Sequence, residues 1–177
     1  MLKVLIVDDN ALSRTELKTM IDWEQHGFYI SGEAGHGAHA IQHLEKDEPD
    51  IVITDMDMPV MNGTALIDYI EKHFPHIRVI ALSAFDHFEY VRHSMKKGAI
   101  DYVLKHQLNA GVLLENLEAA RDSLLKYRSE RDKQKAMQIE ILNGREALRQ
   151  KFILQLLEGS LTETEQWENN LIALDIP

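Results

Sequence analysis

Five polar side chains stand directly after hydrophobic segments that are far apart in the chain. They are Asp8, Asp9, Asp55, Ser83 and Lys105. Carboxylates that meet in one place repel one another unless a hard cation neutralises them, and Mg²⁺ accepts carboxylate, carbonyl and water oxygens. A neighbouring lysine can pair with one phosphoryl oxygen, and a serine hydroxyl can donate to another. One carboxylate is then free to attack phosphorus, so these residue types predict a site that accepts a phosphoryl group on an aspartate.

Each acid also has a plain structural interpretation. Asp55 alone could be a turn former or the N-cap of the next helix. Asp8 or Asp9 could likewise cap the helix that follows them. A cap needs one acid, however, and two adjacent carboxylates repel each other. The pair therefore favours a chemical role.

The hydrophobic pattern supplies a scaffold that would bring these side chains together. Apolar, β-branched runs alternate with segments of helical periodicity. The predicted strands span 3–7, 28–34, 51–54, 77–82 and 100–104, and the predicted helices span about 10–21, 35–45, 64–74 and 86–97. Such alternation is typical of a doubly wound α/β fold, in which a parallel sheet carries helices on both faces. Ligands of these sheets bind outside the carboxyl ends of the strands, where all five side chains would lie.

Composition excludes several classes of protein. The 177 residues include no cysteine, which rules out disulfides, thiolate metal sites and cysteine nucleophiles. A formal net charge of −10 argues against nucleic-acid binding by this chain, because phosphate contacts need clustered lysine and arginine. The first apolar run is too short for a signal peptide, and no later run reaches membrane-spanning length. We therefore expect a soluble, cytoplasmic chain that contacts no membrane and meets DNA only through residues outside it.

The last part of the chain shows helical spacing and no strand signal. A heptad-like seam runs over Leu113, Leu117, Ala120, Leu124 and Tyr127, and after the polar run 128–135 it resumes with Met137, Ile141, Leu148, Phe152 and Leu156. Beyond Gly159, Thr162 and Glu165 resemble a capping box for a last helix. We predict one domain over 1–122 and an all-helical extension over 123–177. The seam could fold back on the first domain or pair two chains as a signalling helix, and we favour pairing.

The motifs resemble the receiver domains of two-component response regulators, which are CheY-like. The resemblance covers about 2–120 and rests on Asp8-Asp9, on Asp55 with Met58-Pro59 and Asn62-Gly63, on Ser83-Ala84, and on Asp101-Tyr102-Val103-Leu104-Lys105. It implies a flavodoxin-like sheet with strand order 2-1-3-4-5. Asp22-Trp23, Gly27-Phe28, Gly32-Glu33-Ala34 and the segment 85–90 look more narrowly like receivers of regulators with an AraC-type helix-turn-helix output domain. Because no basic recognition helix follows, we expect a piece of a longer transcription regulator, truncated before its output domain.

The resemblance also implies how the site would work. Asp55 would accept a phosphoryl group from a phosphohistidine on a sensor histidine kinase, and Lys105 would pair with the phosphoryl oxygens. Mg²⁺ would be held directly by Asp9, mainly through water by Asp8, and by Asp55 together with the backbone carbonyl of Asp57.

The same resemblance implies a switch. Ser83 would move to hydrogen-bond the new phosphoryl group, and Tyr102 would turn inward into the vacated space. The change would be transmitted by a face made of the fourth helix (86–97), the fifth strand and the fifth helix (101–126), through which related regulators form homodimers.

Two features depart from the family pattern. The family usually has proline after the strand-five lysine, often through a cis bond, whereas this chain has His106. A cis bond before a non-proline residue costs about 2.5–4 kcal/mol, so we predict a trans Lys105-His106 bond and a slightly displaced loop. Asp57 and Phe85 flank the path of the attacking water and are poor at orienting it. We therefore predict a long-lived acyl phosphate.

Two other classes of protein remain as alternatives. Asp55 and Asp57 also resemble the nucleophile and general acid of haloacid-dehalogenase-type phosphatases, although those enzymes carry their further acidic pair downstream and here the pair lies upstream. The second alternative is a phosphorylation-independent interaction module, which leaves the presence of all five side chains unexplained. We expect a receiver and not an enzyme.

Three histidines form a separate candidate. His36, His39 and His43 have helical spacing and could grip a transition metal. We interpret them as part of a solvated helix face, because no fourth ligand is evident.

Overall fold

The computed structural model describes residues 1–84 and 99–157. The strands are β1 (Leu2–Val7), β2 (Phe28–Ala34), β3 (Ile51–Asp55), β4 (Arg78–Ser83) and β5 (Ala99–Leu104). The helices are α1 (Ala11–Met20), α2 (Gly37–Asp47), α3 (Gly63–His73), a short 3-10 helix (Lys105–Gln107) and a long helix (Ala110–Leu157). Phe85, the predicted helix over 86–97 and the predicted helix after Thr162 lie outside the described residues.

The strands form one parallel sheet in the order β2-β1-β3-β4-β5. Alternate residues of a strand face opposite sides of the sheet, and this alternation creates two hydrophobic clusters. Val52 of β3 packs on one side with residues of α2 and α3. Ile51 and Ile53 pack on the other side with residues of α1 and the long helix. The predicted α/β class and strand order are therefore confirmed.

Helix α2 begins two residues later than predicted. His36 is the N-cap, because its Nδ1 accepts a hydrogen bond from the N–H of His39 at 3.1 Å, so the helix starts at Gly37 and not at Gly35. The rings of His39 and His43 lie 5.1 Å apart. Among the described residues, the three histidines do not converge as a set of metal ligands, whereas the acids at the sheet edge do.

The long helix contains the predicted seam. Leu113, Leu117 and Ala120 are fully buried in the hydrophobic cluster on one side of the sheet, and Leu124 is also fully buried. The helix continues through the polar run 128–135, and beyond it Met137, Ile141 and Leu148 are exposed. The chain divides into two compact units, Met1–Arg128 and Ser129–Pro177. The predicted boundary between 122 and 123 stays a prediction.

Candidate functional site

The acidic pair lies at the carboxyl end of β1, where hydrogen bonds hold Asp8. Its N–H donates to the carbonyl of Ala34 at 3.1 Å, and its Oδ1 accepts from the N–H of Asn10 at 2.8 Å. Asn10 itself caps α1, because its side chain accepts from the N–H of Leu12 at 2.9 Å. The interpretation of either acid as the helix cap is therefore wrong. The Asp8 side chain is buried, whereas Asp9 is exposed.

Asp55 ends the central strand and is only 5% exposed. Its Oδ1 accepts from the N–H of Asp57 at 3.3 Å, while Asp57 itself is exposed. The chain then returns close to the strand end, where the N–H of Gly63 donates to the carbonyl of Met56 at 3.0 Å. A Cβ at Gly63 would lie 2.8 Å from the Cα of Met56, so only glycine permits this approach.

Lys105 joins the two buried acids. Its Nζ lies 2.8 Å from Oδ2 of Asp8 and 2.7 Å from Oδ2 of Asp55. Both contacts are charge-assisted hydrogen bonds, which are shorter and stronger than neutral ones. No peptide bond between described residues is cis, so the predicted trans bond before His106 is confirmed. Residues from the ends of β1, β3 and β5 thus meet at one point.

The charges at this point are unbalanced, and two pKa values reflect it. Burial raises the pKa of Asp55 above its usual range, Lys105 opposes the shift, and the charge of Asp8 adds to it. Burial also acts to lower the pKa of Lys105, but its hydrogen bonds and charge interactions with Asp55 and Asp8 outweigh burial, so this pKa is raised. The ammonium therefore stays charged at neutral pH, and a further cation would favour the ionised form of Asp55.

Ser83 lies on β4, the strand beside β3, and Tyr102 lies on β5, the edge strand that follows β4 in the sheet. Ser83 is fully buried at the end of β4, where it pairs in register with Leu104, the residue before Lys105. Tyr102 pairs with Ala81 and packs, partly buried, against the hydrophobic cluster under α2 and α3. Ser83 is thus placed between β3, which ends at Asp55, and β5, which ends one residue before Lys105.

Residues 4–118 match the family model of the response regulator receiver domain. The chain belongs to this family. The receiver domains of this family act in two-component signalling, and all the site residues described above lie within the matched residues. No observation favours the phosphatase or interaction-module alternative.

This receiver domain is similar to several known proteins. It is 36% identical over 118 residues to YesN, an uncharacterized transcriptional regulatory protein of Bacillus subtilis, covering 67% of this chain and 32% of that protein. It is 39% identical over 103 residues to the chemotaxis protein CheY of Thermotoga maritima, covering 58% of this chain and 84% of that protein. The chain spans about a third to a half of the length of the first curated relatives it matches.

Solved structures show the same fold. A two-component transcriptional regulator AraC from Clostridium phytofermentans superposes with a TM-score of 0.67 at 34% identity, covering 72% of this chain and 98% of that one. CheY of Borrelia burgdorferi, crystallised with CheX, BeF₃ and Mg²⁺, gives a TM-score of 0.60 at 29% identity, covering 66% and 86%. In the described part of the chain, no helix has the length and apolar character needed to cross a membrane.

Receiver domains bind Mg²⁺ at an acidic pocket, and the donor atoms present here fit that ion. Carboxylate oxygens of Asp8, Asp9 and Asp55 all lie within 4.8 Å of one another. An all-oxygen group of this kind suits a hard divalent cation, and the raised pKa of Asp55 shows that Lys105 alone does not offset the burial of that carboxylate.

Arg14 contacts the site and was missed by sequence reasoning. Its Nη1 donates to the backbone carbonyl of Asp8 at 2.7 Å, and its Nε donates to Glu33 at 3.1 Å. Lys18 also donates to Glu33, at 2.7 Å, and its hydrogen bond is the main cause of the lowered pKa of Glu33. A basic residue one turn into a helix is common and does not by itself indicate such a contact. The acceptor is a backbone carbonyl, which every residue has, so no partner residue type marks the contact in the sequence.

Proposed function

We propose that this receiver domain accepts a phosphoryl group on Asp55, in a Mg²⁺-dependent reaction, from a phosphohistidine of a sensor histidine kinase. The observation that carries the proposal is the ammonium of Lys105 shared between Asp8 and Asp55. It places a fixed positive charge beside a buried carboxylate at the carboxyl edge of the sheet. Incoming phosphoryl oxygens would find there a cation, a nucleophile and acids able to hold a metal ion.

The transfer forms one bond and breaks one. A carboxylate oxygen of Asp55 attacks phosphorus while the phosphorus–nitrogen bond of the donor breaks, and the imidazole leaves with that electron pair and takes up a proton. Lys105 exchanges its contact with Asp55 for a phosphoryl oxygen and keeps its contact with Asp8. Asp9, Asp55 with the carbonyl of Asp57, and Asp8 through water would hold Mg²⁺, which would supply positive charge to the phosphoryl oxygens.

The output would follow from a local rearrangement. Ser83 would donate to the new phosphoryl group, and Tyr102 would turn inward. The changed face, which includes β5, the first part of the long helix and residues 86–97 outside the described part, would favour a homodimer. The exposed residues Met137, Ile141 and Leu148 would extend that pairing along the C-terminal part of the long helix. The whole protein would be a cytoplasmic AraC-type regulator that binds DNA through a region not in this chain.

The test uses acetyl phosphate and Mg²⁺ with intact-mass measurement. The wild-type chain should gain the mass of one phosphoryl group, and Asp55→Asn should gain none. Asp57→Asn is the matched control, because it removes an exposed acid two residues away and should still be modified. A gain that survives Asp55→Asn would contradict the assignment of Asp55.

The same preparation separates the alternatives. With a generic phosphate ester, many turnovers that require Asp57 would indicate a phosphatase, and no mass gain with any donor would indicate an interaction module. Once formed, the acyl phosphate should persist, and loss of the label within seconds would contradict the predicted long lifetime.

A further inference from the structure

Asp8 and Asp9 are neighbours in the chain but are held very differently. Asp8 is fixed at four atoms: its N–H by Ala34, its Oδ1 by the N–H of Asn10, its Oδ2 by Lys105, and its carbonyl by Arg14. Asp9 is exposed, and the hydrogen bonds of the described residues do not include its carboxylate. The direction of the Asp9 side chain therefore depends on the backbone that leads into it.

Arg14 controls that backbone at one atom. The carbonyl of Asp8 belongs to the same planar peptide unit as the N–H of Asp9, so a donor that fixes this oxygen fixes the plane from which Asp9 departs. The guanidinium makes this contact at 2.7 Å while its Nε is held by Glu33 at the end of β2. A planar fork with several donors can serve both acceptors at once, which a lysine ammonium does with far less geometric control.

We propose that Arg14 is a positioning residue for Asp9, and that it presents the exposed carboxylate to Mg²⁺ by orienting the Asp8–Asp9 peptide. This inference rests on the proposed function, because it takes Asp9 as a metal ligand. A ligand held in place before the ion arrives loses less conformational freedom on binding. Groups that orient metal ligands typically change metal affinity by about 10- to 100-fold when removed.

A pure charge effect of Arg14 would change the affinity for Mg²⁺ in the opposite direction from a positioning effect, so the sign of the change distinguishes the two. Removing a cation near an anionic pocket should strengthen the binding of another cation, because a repulsive charge is lost. Lys18 provides the matched control. It lies one turn further along α1 and, like Arg14, pairs with Glu33, whereas the donor to the Asp8 carbonyl is Arg14. Lys18→Met therefore measures the charge effect alone.

The experiment is a calorimetric titration of Mg²⁺ into the wild-type chain, Arg14→Met, Arg14→Lys and Lys18→Met, without any phosphoryl donor. We expect Kd to rise about tenfold for Arg14→Met, to rise less for Arg14→Lys, and to stay equal or fall slightly for Lys18→Met. Amide NMR spectra of the metal-free chains should show the Asp9 signal shifted by Arg14→Met and unshifted by Lys18→Met.

Each outcome has a clear meaning. If the wild-type chain binds Mg²⁺ and Arg14→Met binds it as tightly as Lys18→Met does, the positioning role is overturned and the proposed function stands. An unmoved Asp9 amide in Arg14→Met overturns the positioning role by itself, whatever the affinity. If the wild-type chain binds no Mg²⁺, the proposed function and this inference fail together.

Discussion

The two edges of the sheet balance the charges of their acids in opposite ways. At the carboxyl edge, Asp8 and Asp55 share the single ammonium of Lys105. At the amino edge, one carboxylate, that of Asp50, accepts from the backbone N–H of Lys3 at 2.8 Å and also pairs with Arg128. At the carboxyl edge two carboxylates share one cationic donor, whereas at the amino edge one carboxylate has two donors.

The amino edge is built for cohesion. The N–H of Asp50 donates to the carbonyl of Lys3 at 2.9 Å, and the carbonyl of Asp50 accepts from the N–H of Arg78 at 3.0 Å. Arg78 also lies 4.9 Å from the ring of Tyr127 on the long helix. A single residue therefore ties the beginnings of β1, β3 and β4 together, and the same edge holds the long helix.

The carboxyl edge, by contrast, keeps charge that the fold itself does not satisfy. Functional sites commonly lower stability in this way, because groups arranged for a ligand are poorly matched to one another without it. The comparison therefore makes a prediction that can be tested with Mg²⁺. Added metal should change the energetics of the carboxyl edge and leave those of the amino edge unchanged.

The largest effect should come from removing the shared cation. Lys105→Met leaves two buried carboxylates without a cationic partner. We expect a loss of about 3 kcal/mol in the free energy of unfolding, at the lower end for buried pairs because the lysine is partly exposed. Urea denaturation would measure it, with Lys72→Met on the surface of α3 as the control. Mg²⁺ should restore part of the loss. If Lys105→Met were as stable as Lys72→Met in the absence of Mg²⁺, the description of the carboxyl edge as an edge with unsatisfied charge would be contradicted.

Asp50→Ala should lower the free energy of unfolding by a smaller amount, about 2 kcal/mol, because it leaves the N–H of Lys3 without its acceptor. Asp50→Asn keeps one acceptor oxygen and should cost about half as much. Urea denaturation with and without Mg²⁺ should give the same difference from wild type. Recovery of Asp50→Ala by Mg²⁺ would show that the two edges are not independent.

Asp55→Asn should have the opposite sign and stabilise the metal-free chain by about 1 kcal/mol. Folding raises the pKa of Asp55, so the protonated carboxyl stabilises the fold below the ordinary value of 3.8. This stabilisation is lost as pH rises through the folded value, and at neutral pH the ionised carboxylate lowers the free energy of unfolding. The advantage of asparagine should shrink in acid. It should also shrink in Mg²⁺, which should stabilise the wild type more than a variant that has lost one of the carboxylate ligands. Asp57→Asn should change little, and a destabilised Asp55→Asn would refute this account.

The smallest effect should appear at Glu33, an acid near the carboxyl edge that has two cationic partners. Its pKa is lowered, mainly by Lys18, so its contribution is present above the ordinary value of 4.5 and is lost as pH falls. We expect Glu33→Gln to lose about 0.5 kcal/mol at neutral pH, because both ion pairs are partly exposed. Thermal unfolding would measure the stability of Glu33→Gln relative to the wild type, with Glu16→Gln as the control. The stability difference should vanish in acid, and a difference that persists there would rule out an ionic origin.

The sequence by itself determined the strands and the residues that end them. Hydrophobic runs that stop abruptly at Asp8, Asp55 and Lys105 are local patterns, and strand order follows once helices alternate with such runs and the family resemblance is recognised. Element ends were less accurate. The N-caps Asn10 and His36 accept hydrogen bonds from nearby backbone, and several short polar side chains near each helix start could have done so.

Only the tertiary structure decided how the charges are shared. Lys105 and Asp8 are 97 positions apart, and no periodicity predicts that one ammonium serves both Asp8 and Asp55. The contact of Arg14 with a backbone carbonyl has no sequence signal at all. Hydrophobic patterns specify which face of an element is buried, whereas hydrogen bonds between distant side chains depend on distances of a few tenths of an ångström, which are set only when the packed elements meet.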